Sequence, residues 1–184
     1  MKIYLASTSP RRKQLLEQIG VNFETVNIDI DETWDGEEPA KAYVMRMALE
    51  KARTAKSKIH TDLPMLAADT CVVLDNLILG KAETKKDAAI MLGQFSGRTH
   101  HVYTAVALIT KTEQVSLNIN HVSFHPLSES DILQYCETEE PLGKAGAYAV
   151  QGKAAAFVER LEGSYSGVMG LPLYEVAEML KTVE

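Results

Sequence analysis

The run "LPMLAADTCVVL", residues 63–74, constrains this chain more than any other stretch. Apolar residues occupy almost every position, so a strand built from it needs cover on both faces. A half-exposed sheet would show strict alternation instead. The segment therefore reads as a buried strand, too apolar for an exposed sheet, inside an α/β domain. Asp69 interrupts this run between "MLAA" and "CVVL". An isolated buried carboxylate is costly unless it is paired, hydrogen-bonded or bound to a metal. Two readings follow: a bulge or strand end capped by backbone amides, or a metal ligand or general base facing a cleft.

The remaining segments supply the layers. "KIYLAS" is a short apolar strand. A helix over residues 10–19 begins with Ser9 as N-cap and Pro10 as first helical residue, carries Leu15, Leu16 and Ile19 on one face, and stops at Gly20. "NFETVNIDI" alternates like a strand, and a second helix spans residues 40–56. "VVLDNLILG" reads as a hairpin turning at Asp75-Asn76. Thr84 with Asp87, and Ser128 with Asp131, mark capping boxes for two further helices, one ending near Gly97 and one running through Tyr135. "HVYTAVALIT" and "QVSLNINHVSF" form a long strand pair, and "AGAYAVQG" with "AAAFVERLEG" a further pair. A glycine-containing loop, "SYSGVMGLP", leads to a last helix with Leu173, Val176, Ala177 and Leu180 in one stripe. Hairpins interleaved with helices predict a mixed twisted β-sheet flanked by helices. No repeat or linker divides residues 1–184.

Composition excludes several function classes. Of the 184 residues, 46% are apolar and the net charge is -6. An acidic chain is a poor non-specific binder of nucleic acid or of a membrane surface. No signal-peptide pattern opens the sequence, and no segment approaches the roughly 18 apolar residues of a membrane span. Cys71 and Cys136 sit in apolar contexts and read as buried free thiols of a reducing cytosol, with a disulfide as the alternative.

Polar groups in unexpected places carry the chemistry. In the second helix Val44, Met47, Ala48, Lys51 and Ala55 share one face, so Lys51 lies on the apolar side. Either its stem packs while its head snorkels to water, or its ammonium is aimed into a site. The stretch "DIDETWDGEE" holds six acids and no base. Most of it reads as a solvated loop, although one or two acids could join Asp69 on a hard divalent cation. Trp34 fits a core or a base-stacking role equally. Near the N-terminus, Arg11, Arg12 and Lys13 fill a first helical turn, where the helix dipole disfavours cations. Lys13 reads as a solvated charge. A strand-turn-helix with Ser7 and Ser9 hydroxyls and a guanidinium nevertheless suits a phosphate. Lys81, after "LILG", could add another cation. His100 and His101 are neighbours on a strand, face opposite sides, and read as packing or surface residues. No P-loop, GxGxxG or zinc spacing is present, and a triad using Ser7 has no support. Arg12, Lys51 and Lys81 suit several phosphates, while Glu32 and Asp69 suit magnesium or manganese and an attacking water. Together they predict phosphoanhydride hydrolysis of a nucleoside triphosphate.

The segments "LASTSPRRKQLL", "DIDET", "ALEKA", "AADTCVVLDNLILGK", "FSGRTHHVYTAVAL" and "EEPLGKAGAYAVQGKAAAFVERLEGSYSGVMGLPL" resemble, in order and spacing, the Maf proteins across nearly the whole chain. The resemblance implies an inosine-triphosphatase-like α/β fold with a cleft between two lobes, commonly a homodimer; the cysteines and the lack of a signal or span suggest the cytoplasm. The resemblance also implies a nucleoside triphosphate pyrophosphatase that releases pyrophosphate and a monophosphate with a divalent cation, Mg2+ or Mn2+. Asp69 matches the family's proton acceptor and Glu32 its second essential carboxylate. Ser7, Arg12, Lys51 and Lys81 match its phosphate-side residues. Arg11, Thr70 and Gln151 occupy the positions that separate the family's branches, and the combination looks like the branch acting on dTTP and UTP. The 7-methyl-GTP branch, which typically carries an aromatic residue, Gln and Glu there, is the alternative. A nucleotide-binding role in cell division and septum formation is another. One departure from the family is Ala82 after Lys81, where proline is usual; losing that φ restraint is expected to loosen the loop.

Overall fold

In the computed structural model, which describes residues 2–183, the chain runs β1 (Lys2–Leu5), α1 (Pro10–Gln18), β2 (Asn22–Thr25), α2 (Ala40–Ile59), β3 (Met65–Leu74) and β4 (Leu77–Leu79). It continues through α3 (Lys85–Phe95), β5 (Thr99–Ile109), β6 (Glu113–Phe124), α4 (Glu129–Glu137), a 3-10 turn (Lys153–Phe157), β7 (Val158–Glu162), α5 (Tyr165–Met169) and α6 (Leu173–Lys181). The strands form one seven-stranded sheet in the order β2-β1-β3-β5-β6-β7, with β4 added to β3. β1 lies parallel to β2 and β3, and the remaining pairings are antiparallel. The sheet is therefore mixed, as the interleaved hairpins and helices predict.

β3 is covered as its composition requires, with nine of its ten residues buried, and it lies inside the sheet between β1 and β5. Its odd positions Met65, Ala67, Cys71 and Val73 pack with Val44, Met47, Ala48, Ala52 and Ala55 of α2. Leu66 and Ala68 face the opposite layer, with Leu15 and Leu16 of α1 and Val176, Met179 and Leu180 of α6. Beyond residue 71 the same strand enters a second core. There Val72 and Leu74 meet Leu92 and Phe95 of α3, Tyr135 of α4, and Phe124. The molecule thus has two lobes that share the long strands β3, β5 and β6, with a cleft between them.

Local signals place most boundaries. Asp75 and Asn76 both take positive φ (51° and 66°) in the turn between β3 and β4, a conformation Asn and Asp tolerate better than most residues. The capping boxes of Thr84 with Asp87 and Ser128 with Asp131 both form. Elsewhere the structure differs from the sequence reading. The alternation after Thr25 does not extend β2, because residues 26–39 form a loop held down by side chains. "AGAYAVQG" is a chain of turns rather than a strand, and β7 pairs with β6 instead. The "SYSGVMGLP" loop contains the short α5, capped by Ser164. Ser9 occupies the N-cap of α1, but its hydroxyl makes no capping bond. Its amide instead donates to Ser7 Oγ at 3.1 Å. Ile19 lies just past α1 and is 38% exposed, so only Leu15 and Leu16 of its predicted face are buried. Both cysteines are free and buried.

Candidate active site

The cleft opens where the flank of β3 is bare. β1 pairs only with Met65 and Leu66, and β4 begins its pairing at Val72. Between them, residues 67–71 have a strand neighbour on the β5 side alone. Side chains from both faces of β3 can therefore reach the same space. Asp69, on the α2 face, and Thr70, on the α1 face, both line a cleft of 780 Å³. All nine residues singled out from the sequence line it: Ser7, Arg11, Arg12, Glu32, Lys51, Asp69, Thr70, Lys81 and Gln151.

Its anionic centre is an ion triad. Lys51 Nζ lies 2.6 Å from Asp69 Oδ1 and 2.6 Å from Glu32 Oε1. Lys51 and Asp69 are both buried. Lys51 thus turns its ammonium to the two carboxylates of the cleft rather than to bulk water, and Asp69 is satisfied by that ammonium rather than by backbone amides. Partial burial raises the Glu32 carboxyl, but the contact and charge of Lys51, with Lys81 adding, outweigh it and hold the group below its usual range. Lys81 Nζ sits 3.5 Å from Glu32 Oε2 and remains mostly exposed.

Glu32 is delivered by the acidic loop, and its neighbours explain why it alone of the six acids lines the cleft with Asp69. Asp31 accepts from the Thr33 amide, and Asp35 accepts from the amides of Glu37 and Glu38. Glu38 makes a forked pair with Arg46 of α2. Trp34 Nε1 donates to the Glu38 carbonyl, and its ring packs against the α2 core, so its role is structural. Tyr43 O–H donates to the Glu32 carbonyl at 2.8 Å and pins the loop directly. Sequence reading passed over Tyr43, although it stands two helical turns before Lys51 on the same face of α2.

The cationic side comes from the first turn of α1. Arg12 Nε donates to the Gly170 carbonyl at 2.8 Å, and Nη2 donates to Thr70 Oγ1 at 3.3 Å. Thr70 in turn shares a hydrogen bond with Thr104, whose hydroxyl donates to the Gly167 carbonyl. Burial lowers the affinity of the Arg12 guanidinium for its proton, with Arg11 adding and Asp69 and Glu32 opposing. Arginine keeps its charge in such surroundings, so an incoming anion relieves the cost. Arg11 is also partly desolvated, and its buried Nε has no partner among the described residues. Lys13 does not line the cleft and keeps its reading as a surface charge. Ala82 does not free the loop carrying Lys81: Lys81 bridges Ala145, Ala82 bridges Leu142, and the Gly143 amide donates to the Ala82 carbonyl. Lys144, which the sequence reading did not single out, lines the cleft beside Arg11, and burial lowers its pKa. His100 is fully buried away from the cleft lining, with Nε2 on the Tyr148 hydroxyl, as a packing residue.

The donor set suits a hard cation. Glu32 and Asp69 each place a carboxylate oxygen 2.6 Å from the same ammonium, and such oxygens are the donors a hard cation takes. Among the described residues no cluster of three or more His, Cys, Asp and Glu side chains offers an all-protein cage. Magnesium or manganese would be held there by Glu32 and Asp69 alone, with substrate phosphates and water to complete its shell.

Comparison with known proteins identifies the family. The chain matches the Maf-like protein family over residues 2–183. It is 48% identical to the dTTP/UTP pyrophosphatase of Alkalilimnicola ehrlichii, over 99% of this chain and 93% of that protein. It is likewise 48% identical to the dTTP/UTP pyrophosphatase of Pectobacterium atrosepticum, over 97% and 91%. The fold resembles that of a HAM1 protein from Coxiella burnetii, with a TM-score of 0.56 at 16% identity over 99% of both chains. By length and depth of similarity, the chain belongs to the Maf family.

Proposed function

We propose that this protein hydrolyses dTTP and UTP to the nucleoside monophosphate and pyrophosphate, clearing nucleotide pools. The observation that carries the chemistry is the buried Lys51 joined to both Asp69 and Glu32 at the floor of a cleft bordered by Arg11, Arg12 and Lys81. Relatives that match nearly the whole chain and are named for dTTP and UTP support the substrate.

In this reading the triphosphate enters with its phosphates toward Arg12 and Lys81. Gly170 and Thr70 hold the Arg12 guanidinium in place, and its remaining N–H groups bind phosphate oxygens. Ser7, already accepting from the Ser9 amide, presents its hydroxyl to the same anion. Lys51 fixes Asp69 through Oδ1, and no protein donor among the described residues reaches Oδ2. That oxygen takes the proton of a water attacking the α-phosphorus. The bond to the bridging oxygen breaks, and pyrophosphate leaves with its charge met by Arg12 and Lys81. Magnesium or manganese held by Glu32 and Asp69 would neutralise charge developing on the phosphoryl oxygens. Gln151 offers both a donor and an acceptor to a pyrimidine edge, and Arg11 brings the unpartnered Nε. Thr70 acts chiefly by holding Arg12.

A panel of nucleoside triphosphates, scored for pyrophosphate against orthophosphate, tests the reading. dTTP and UTP should lead it, ahead of 7-methyl-GTP, and Asp69→Asn should lower kcat by about 10²–10⁴, the span of a lost general base. Normal turnover in that variant would remove Asp69 from the reaction. A homodimeric, cytoplasmic enzyme belongs to the same reading, and light scattering of the purified chain tests the dimer.

A further inference from the structure

One wall of the cleft is made by residues 139–152, which contain neither a helix nor a strand. It nevertheless contributes Lys144 and Gln151 to the lining. Such a segment needs anchors: the Gly143 and Gly146 amides donate to the carbonyls of Ala82 and Gly80, and its side-chain anchors converge on Glu140. The Glu140 backbone is set between Glu139, at φ 60°, and Pro141, which restricts the residue before it to extended conformations. Its Oε1 accepts from the Tyr135 hydroxyl of α4 at 2.9 Å, and its Oε2 accepts from the Lys153 amide at 3.1 Å. Lys144 Nζ donates to its carbonyl oxygen. A Cβ on Gly152 would stand 2.5 Å from the Glu140 carboxyl carbon, so that glycine is what admits the carboxylate. One side chain thus ties α4 to the turn immediately after Gln151, and its own backbone holds Lys144.

We infer that Glu140, seated on Gly152, is a positioning residue for substrate selection, fixing Gln151 and Lys144 on the nucleoside side of the cleft. This rests on the pyrophosphatase reading above. Glu140 does not line the cleft, so it acts through Gln151 and Lys144 rather than on the nucleotide. Loss of its carboxylate frees the Lys153 amide and lets the turn drift, while the ion triad of Lys51, Glu32 and Asp69, which shares no hydrogen bond with Glu140, stays in place. The defect should therefore fall on binding and selectivity rather than on the chemical step.

The test uses the full chain with Glu140→Ala, Glu140→Gln and Gly152→Ala. Steady-state kinetics with UTP, dTTP and a purine triphosphate give kcat and KM separately. Calorimetry measures UTP binding in an Asp69→Asn background with magnesium. Glu140→Ala should raise KM for UTP about tenfold, the scale of one lost hydrogen bond. Its kcat should stay within about twofold, and the pyrimidine-over-purine ratio of kcat/KM should fall. Gly152→Ala should reproduce that signature by displacing the carboxylate, and Glu140→Gln, which keeps one acceptor oxygen, should recover part of the affinity. Unchanged KM and selectivity in Glu140→Ala and Gly152→Ala, or a loss confined to kcat, would overturn the inference. If the parent chain binds UTP but hydrolyses no triphosphate, the pyrophosphatase reading fails on its own. Calorimetry then decides the role of Glu140, with undiminished UTP binding counting against it.

Discussion

Replacing Lys51 by Met keeps the unbranched stem on the buried face of α2 and removes only the ammonium. Without added metal, Glu32 and Asp69 then confront each other across the space the ammonium filled. Removing one partner of a buried ion pair costs about 3–5 kcal/mol, because the other charge is left uncompensated. The Lys51 and Asp69 side chains are each 10% exposed, while Glu32 is 42% exposed. Water screens the Glu32 contact, so the low end, about 3 kcal/mol, applies. For a chain of this size, where 1 kcal/mol moves Tm by about 2–4 °C, the midpoint should fall by roughly 6–12 °C. Magnesium at about 100 times its Kd would return about 2.7 kcal/mol by mass action. The parent protein, whose carboxylates already hold a cation, should gain less. Calorimetric melts of both proteins in EDTA and in magnesium make the comparison. A variant within about 1 kcal/mol of the parent in EDTA would refute the reasoning, since the two carboxylates would then not depend on Lys51.

Three further perturbations read other parts of the structure. Burial, with His101 adding, pushes the His100 ring down to about 3, whereas an unfolded histidine titrates near 6.5. Between those values the unfolded chain binds a proton that the native chain refuses, so stability falls as pH drops through that window. From pH 7 to pH 5 this amounts to about 2 kcal/mol, and urea unfolding of His100→Phe should show a drop smaller by that amount; equal drops would discount the buried ring. Thr104→Val should cost about 1 kcal/mol by removing the hydroxyl's bonds to Thr70 and to the Gly167 carbonyl, which keeps the Gly170 amide, and should raise KM by loosening the Thr70 partner of Arg12, as denaturation and steady-state kinetics would show. Gly163 has φ 115°, and an added Cβ would lie 3.0 Å from the Ile119 carbonyl. Gly163→Ala should therefore lose about 2 kcal/mol or more in thermal melts, and a neutral result would deny the strain.

Most of the elements were legible from local signals. The hairpin at Asp75-Asn76 and the two capping boxes depend on contacts within a few residues, and each formed where the sequence placed it. Misreadings came where a local pattern imitated a strand. "AGAYAVQG" is apolar enough for one, yet its left-handed Gly146 and Ala147 bend it into turns that line the cleft. Residues 26–30 alternate like a strand, yet they belong to the loop that carries Glu32. Among the site residues, Asp69 and Lys51 stood out because each is polar in an apolar pattern. Tyr43 and Lys144 did not, since a tyrosine on a helix and a lysine between Gly143 and Ala145 break no rule of composition.

From the sequence alone, residues 63–74 read as a covered strand, the sheet as mixed, Asp69 as a carboxylate in need of a partner, and Lys51 as a cation out of place on an apolar helix face. Those conclusions rest on hydropathy and on short-range capping, which are written along the chain. Only the tertiary structure decided that Asp69 and Lys51 are partners of each other, that Glu32 alone of its acidic run joins them, and that Arg12 is held by Gly170, 158 positions away. The cleft itself arises because β1 and β4 leave the flank of β3 bare over residues 67–71. That gap depends on where three strands stop relative to one another, and strand register is set by packing between distant segments.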